Sequence, residues 1–376
     1  MQTNRILAAV SGFRRKRYSL KYGIMGLVPL TVIILLSIRA CSTAYGPEKA
    51  LRRELDLLKE SDSGLLSEVS GNILSPKDDP GIQYADEADD IFPLYFRNFN
   101  YRIRDIRVEK GTKRAYAKVI LRTMDARSFC RDYRLMEIRE KLLAGNTGPV
   151  SASRYRIFQS LLTQEQYQTM DTESTIGLQK TEKGWEIIRT EALENALTGG
   201  LISCLSDPMI LTAGETLDIS LKTIREMSQE QFYSFLGIDP VLSGSDEERE
   251  EIARALCDQA HQSFDYQLIQ ERREGYQAEI DVRIQSFDYF SILSSYYEAY
   301  EKYMNSAQAV IDGEEIRART CIQLLLKSIQ KNSAVRNHQV QFHLTNDGEA
   351  WKIPDFESVL GETIFGSTSQ PDSEEI

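Results

Sequence analysis

Proton transfer near neutral pH falls first to histidine, and this chain has three, His261, His338 and His343. His338 shares strand parity with Val340, Phe342 and Leu344, so it is expected to point inward near a strand end, as a general base or as a structural side chain. His343 has the opposite parity and faces the other way. Asp125 and Asp288 form a second pair, because each ends a strand just before a long helix. A carboxylate there either caps the helix by accepting from its first free amides or stands at a rim as a base or ligand contact. The position between strand and helix favours the cap. Aromatic residues crowd the stretch from Phe287 to Tyr303. Phe290, Leu293, Tyr297, Tyr300 and Met304 recur at helical spacing, a stripe that packs a core or lines an apolar ligand pocket. Asp125, Asp288, Tyr297, Tyr300 and His338 are therefore the candidate pocket residues.

Other chemistries lack their residues. The sequence has no glycine-rich phosphate loop, no His-Glu-x-x-His, no cysteines at zinc spacing and no Gly-x-Ser-x-Gly. No catalytic residue, metal or cofactor is expected. Cys130, Cys204, Cys257 and Cys321 are scattered, so they allow three full disulfide pairings or free thiols. A net charge of −11 argues against nucleic acid as a partner.

That charge is uneven. Residues 1–40 hold seven basic and no acidic side chains, which leaves −18 on the remaining 336 residues. After Lys21, the 17 residues Tyr22–Ile38 carry no charge. At about 1.5 Å per helical residue they are near the lower limit for spanning a bilayer. The basic side comes first, which predicts a cytoplasmic N-terminus and an extracytoplasmic chain beyond it. Cys41 follows directly in Ser37-Ile38-Arg39-Ala40-Cys41. A small residue before a cysteine at the end of an apolar run resembles a bacterial lipoprotein signal. Arg39 and the long basic segment depart from that pattern, so an uncleaved single-pass anchor stays open. The expected plan is a basic segment over 1–21, a hydrophobic signal or transmembrane segment over 22–40 and a linker over 41–46. Both readings place residues 41–376 outside a cell membrane.

The remainder is written twice. A shift of 166 residues lays Leu51, Leu55 and Leu58 on Leu217, Leu221 and Ile224, and Trp185 on Trp351; these are the chain's two tryptophans. Val119, Leu121 and Asp125 match Val282, Ile284 and Asp288 at a shift of 163, the slip of a hairpin-loop difference. Two homologous domains are expected, 47–205 and 212–368, with an acidic tail over 369–376. Each opens with a helix apolar at i, i+4 and i+7. A short second helix runs to Gly71 or Gly237. A third opens at Ser245 with Glu248 at capping-box spacing, and its counterpart lies around 85–98. A hairpin follows, Tyr101–Glu109 with Arg114–Met124 in the first domain, and in the second a strand in which Tyr276, Ala278, Ile280, Val282 and Ile284 alternate. Long helices are expected over about 126–170, broken at Gly145–Pro149, and over 288–333. Closing hairpins are Thr172–Thr181 with Gly184–Ile188, and Gln339–Leu344 with Ala350–Ile353.

This order resembles the nuclear-transport-factor-two-like (cystatin-like) α+β fold, in which a curved antiparallel sheet wraps around a long helix to form a cone. The opening Cys41-Ser-Thr-Ala-Tyr-Gly-Pro-Glu is similar to membrane lipoproteins of Gram-positive bacteria that have no assigned activity. The resemblance implies a cell-surface protein. The expected function is a membrane-tethered, non-enzymatic module binding a small ligand or a surface protein. Alternatives are an enzyme with an isomerase- or dehydratase-like polar cluster inside one cone, and an envelope assembly or stress component acting as a homodimer.

Overall fold

Eleven residues from Arg114 to Met124 alternate in burial almost without fault. Ala115, Ala117, Val119, Leu121 and Thr123 are buried, while Arg114, Tyr116, Lys118 and Arg122 face solvent. A strand with one wet and one dry face needs a cover on the dry side, and in this α+β protein helices supply it. The computed structural model describes residues 46–60, 91–144, 150–236 and 245–365. The described chain divides after Leu211 into two units. The hydrophobic segment 22–40, Cys41, Gly71, Gly145–Pro149, Gly237 and the tail lie outside the described residues.

In the first unit the elements run α1 (Pro47–Glu60), α2 (Ile91–Phe96), β1 (Asn100–Val108), β2 (Arg114–Met124), α3 (Ala126–Ala144), α4 (Val150–Gln164), β3 (Thr169–Thr181), β4 (Gly184–Ile187), α5 (Glu191–Leu197) and α6 (Leu201–Leu205). The four strands form an antiparallel meander in the order β1-β2-β3-β4. Leu51, Leu55 and Leu58 of α1, Phe129 and Tyr133 of α3, and Ile157, Phe158 and Leu162 of α4 join the inward residues of β2 and β3 in one core. Phe129 is fully buried, with edge-on contacts to Phe158 at 4.8 Å and Tyr167 at 5.5 Å. Full burial of such a side chain is worth about 1.5–3 kcal/mol.

The second unit runs α7 (Ala213–Glu226), α8 (Gln229–Leu236), α9 (Asp246–Ser263), β5 (Asp265–Glu274), β6 (Gln277–Phe287), α10 (Tyr289–Met304), α11 (Ala307–Ile311), α12 (Glu314–Lys331), β7 (Val335–Asn346), β8 (Trp351–Lys352) and α13 (Phe356–Phe365). Its sheet is again a meander, β5-β6-β7-β8. Capping boxes start α7 at Thr212 with Glu215 and α9 at Ser245 with Glu248. Ser228 and Gln231 make the same reciprocal bonds ahead of α8. Each box satisfies amides that the helix itself cannot.

The two sheets agree in detail. Each first strand carries a register shift, between Ile103 and Asp105 and between Leu268 and Gln270. Met124 opposes Thr169 where Phe287 opposes Val335, and Trp185 opposes Lys180 where Trp351 opposes Asn346. Tyr101 donates to Asp56 Oδ1 (2.6 Å), and Tyr266 donates to Asp218 Oδ1 (2.9 Å), so in each unit a first-strand tyrosine ties the sheet to the opening helix.

Several expectations need correction. The stretch 288–333 is three helices rather than one. The chain breaks at Asn305-Ser306, where the Ser306 hydroxyl caps α11, and at Asp312-Gly313, where Asp312 accepts from Tyr303 (2.7 Å). The helical stretch assigned to 126–170 ends at Gln164, and β3 begins at Thr169. Tyr276 is not a strand residue. It sits in the turn with Gly275, whose φ of 60° tightens the reversal, and it is exposed. Helices α5, α6 and α13 follow the closing hairpins where none was expected. Thr190 starts α5 by accepting from Leu193 N.

Candidate functional site

Asp125 and Asp288 lie at the junctions β2–α3 and β6–α10, and the same bonds recur at both. Asp125 Oδ1 accepts from the amides of Arg127 (3.1 Å) and Ser128 (3.2 Å), and Oδ2 accepts from the Ser128 hydroxyl (2.6 Å). Asp288 Oδ1 accepts from Phe290 N (3.1 Å) and Oδ2 from the Ser291 hydroxyl (2.6 Å). The backbone amides donate across the sheet, Asp125 to Gln168 O (2.8 Å) and Asp288 to Ala334 O (2.9 Å). Both carboxylates therefore act on the first turn of the helix that follows them. The motif is Asp-x-x-Ser in each unit, a spacing legible in the sequence.

His338 is half-buried on β7 opposite Ile284, on the parity of Phe342 and Leu344. Loss of solvation lowers its pKa from the ordinary value, and Arg336 lowers it further while Asp288 opposes them. Asp288 and His338 are thus two candidates brought within electrostatic reach of each other. His343 faces solvent, its Nδ1 3.7 Å from Glu279 Oε1. His261 Nε2 donates to Met227 O (2.6 Å) and its ring meets Phe232 edge-on, a structural histidine.

Tyr297 and Tyr300 share one face of α10, Tyr297 exposed and Tyr300 half-buried. The stripe expected to be buried faces out instead, with Phe290 59%, Tyr297 41% and Met304 41% exposed and Leu293 and Tyr300 half-buried. The packed face carries Ile292, fully buried, with Tyr289, Tyr296 and Tyr303 half-buried beside it. Tyr296 lies between Tyr297 (ring centroids 5.5 Å) and Tyr300 (5.9 Å), and burial pushes its phenol up to about 12. The outward residues Phe290, Tyr297 and Met304 are spaced by sevens, with Leu293 and Tyr300 between them. This is an a/d seam. Arg336 stacks on the Phe290 ring at 5.5 Å. Beyond α10, Val310 and Ile311 are 82% and 76% exposed, and Ile316 on α12 is exposed as well. These last three were missed in the sequence. For Val310 and Ile311 the signal is an apolar run between the turn-forming pairs Asn305-Ser306 and Asp312-Gly313, whereas Ile316 lies beyond the second pair.

Three buried glutamates lie in the first unit, Glu54, Glu137 and, on α5, Glu194. Glu54 on α1 accepts from Arg53 (2.9 Å), while its Oε2 has no hydrogen-bond partner. Burial raises its pKa against the pull of Arg53 and Arg189. Glu137 on α3 is also penalised by burial, but Lys141 and Arg134 (2.7 Å) prevail and hold its carboxyl below the usual range. Among the described residues no group of three or more His, Cys, Asp or Glu is placed to hold a metal ion, and no helix is long and apolar enough to cross a membrane.

No protein-family model matches the chain, and no curated protein does. Among solved structures it is similar to the crystal structure of an inferred lipoprotein, YcdA, from Bacillus subtilis. That match has 10% identity and a TM-score of 0.27, and covers 71% of this chain and 94% of the other.

Proposed function

We propose that residues 41–376 are held on the outer face of a cell membrane by the N-terminal segment, with Cys41 as the lipid-bearing residue, and that the protein works by association rather than catalysis. In this reading 47–205 and 212–368 are two copies of one nuclear-transport-factor-two-like domain. The shared strand order, register shifts and Asp-x-x-Ser caps support the duplication. The carboxylates singled out for chemistry are engaged in capping, which favours a structural role for them.

The observation that carries the association reading is the outward seam of α10. Apolar residues at a/d spacing match the like-for-like contact of two identical helices across a two-fold axis. An exposed apolar stripe of this kind marks an interaction site more often than bare surface. Tethering confines copies to a plane and raises their effective concentration. The occupant of the seam is therefore a second copy of the chain. The test is the mass of the full chain in detergent. A concentration-dependent dimer is expected, reduced to monomer by Tyr297→Glu with Met304→Glu while the circular dichroism stays unchanged. A chain that stays monomeric at all concentrations, or a dimer indifferent to both substitutions, overturns the reading.

A further inference from the structure

In the first unit, α3 and α6 set two thiols against each other. Cys130, in the first turns of α3, is fully buried, and its Sγ lies 4.0 Å from the carbonyl oxygen of Leu201, the first residue of α6. Cys204 is three residues further along α6 and half-buried. The two thiols lie close enough for each to bear on the charge of the other. Both are free thiols. Cys257 and Cys321 belong to the other unit. The approach is set by the backbone: Gly199 and Gly200, at φ 65° and 90°, reverse the chain after α5 and return α6 to α3.

We propose that Cys130 and Cys204 are a disulfide site that staples α6 to α3. Cys204 attacks as its thiolate on a disulfide donor of the form R–S–S–R, releasing one RSH and leaving a mixed disulfide on the protein. Cys130 then gives its proton to solvent, its sulfur displaces the second R–S⁻, and that thiolate takes up a proton. Two protein thiols are oxidised and one donor disulfide is reduced to two thiols. The order follows from the surroundings. Burial holds the Cys130 thiol well above its ordinary range, with Cys204 and Asp125 acting in the same sense and Arg134 against. Cys204 is also raised by burial, but Arg127 opposes that shift, as does the Cys130 thiol, while Asp207 and Asp125 add to it. The more accessible sulfur is thus also the better nucleophile. A helix of five residues, Leu201–Leu205, has little stability of its own. A covalent tie would close the chain between 130 and 204 into a ring and restrict its unfolded state. This site rests on local geometry rather than on the membrane reading, and an oxidising compartment is where it would be filled.

The test equilibrates the full-length chain in detergent with reduced and oxidised glutathione over a range of ratios, followed by alkylation and peptide mapping. The expected result is a protein lighter by two hydrogens, a peptide linking Cys130 to Cys204, and Cys257 and Cys321 still open to alkylation after unfolding. The thermal midpoint should rise on oxidation, return on reduction and show no such change in Cys204→Ser. The mapping needs no substituted protein, so a variant that folds poorly leaves the proposal testable. It is overturned if Cys130 and Cys204 remain alkylatable at the most oxidising ratio. It is equally overturned if the linkage forms only in denaturant, or if either cysteine pairs elsewhere.

Discussion

Asp125 and Asp288 each commit both carboxylate oxygens to the helix they precede, one oxygen to main-chain amide and the other to the serine three residues on. A general base needs a free lone pair aimed at a substrate proton. A cap needs the lone pairs where these are. The two roles separate on substitution. Asp288→Ala should lose about 1 kcal/mol of stability, the usual worth of an N-cap. Asp288→Asn keeps an acceptor oxygen and should lose less, giving up mainly the favourable placement of negative charge at a helix start. The same order should hold at Asp125. Urea midpoints of the three forms at each site check this. An asparagine variant as unstable as the alanine one would mean that charge, rather than capping, is what the site requires. The position between strand and helix made the caps legible in the sequence. The bond from Ser128 or Ser291 to the second oxygen was not, because a serine at N3 gives no sign of which way its hydroxyl turns.

Strands were easier to read than helices, and the reason is physical. Alternation in β2 and β6 has a period of two and leaves one possible inward set, so Ala115–Leu121 and Ala278–Ile284 could be assigned to the core directly. On α10 nearly every face carries an aromatic or aliphatic residue. Periodicity then cannot choose between the face of Ile292 and Tyr296 and the face of Phe290 and Tyr297, and contact with α12 decides. The breaks at Asn305-Ser306 and Asp312-Gly313 were missed because turn formers at a short spacing are tolerated within a helical pattern until tertiary bonds, here Tyr303 to Asp312, fix the turn. The α5–α6 junction shows the same dependence on context. Both Gly199 and Gly200 have positive φ, yet only one is confined. A Cβ on Gly199 would come within 2.6 Å of Thr123 Oγ1 and 2.8 Å of Met124 O, whereas one on Gly200 meets nothing within 4 Å. Gly200→Ala should therefore cost only the left-handed backbone, about 1 kcal/mol, and Gly199→Ala that much plus a clash with strand β2 of about 1–3 kcal/mol more. Thermal midpoints of the two variants measure the difference, and equal losses would place the junction looser than its geometry requires.

Across the whole molecule the dominant asymmetry is charge. Seven positive charges without a single acid precede residue 41, against −18 on everything else. In the proposed reading the positive-inside rule would hold the chain with its basic end in the cytoplasm, and one orientation would serve both anchoring readings. Protease added to protoplasts should digest the two units and, in chain that keeps its N-terminal segment, spare an epitope placed ahead of Arg5. Digestion of the epitope, or protection of the units, would reverse the topology. The anchor itself is separable in the same preparation. Acylation at Cys41 would mark the chain with a lipid precursor, and Cys41→Ser would remove the mark. One acyl chain binds a bilayer only marginally, so a lipid anchor requires more than one, whereas Tyr22–Ile38 retained as a helix holds the chain by itself. If Cys41→Ser abolishes both labelling and membrane retention of the processed chain, lipid is the anchor. If the wild-type chain carries no label and Cys41→Ser stays in the membrane fraction at unchanged mass, the apolar segment is the anchor, and Arg39 then lies at the membrane surface, where its long side chain can reach the headgroups.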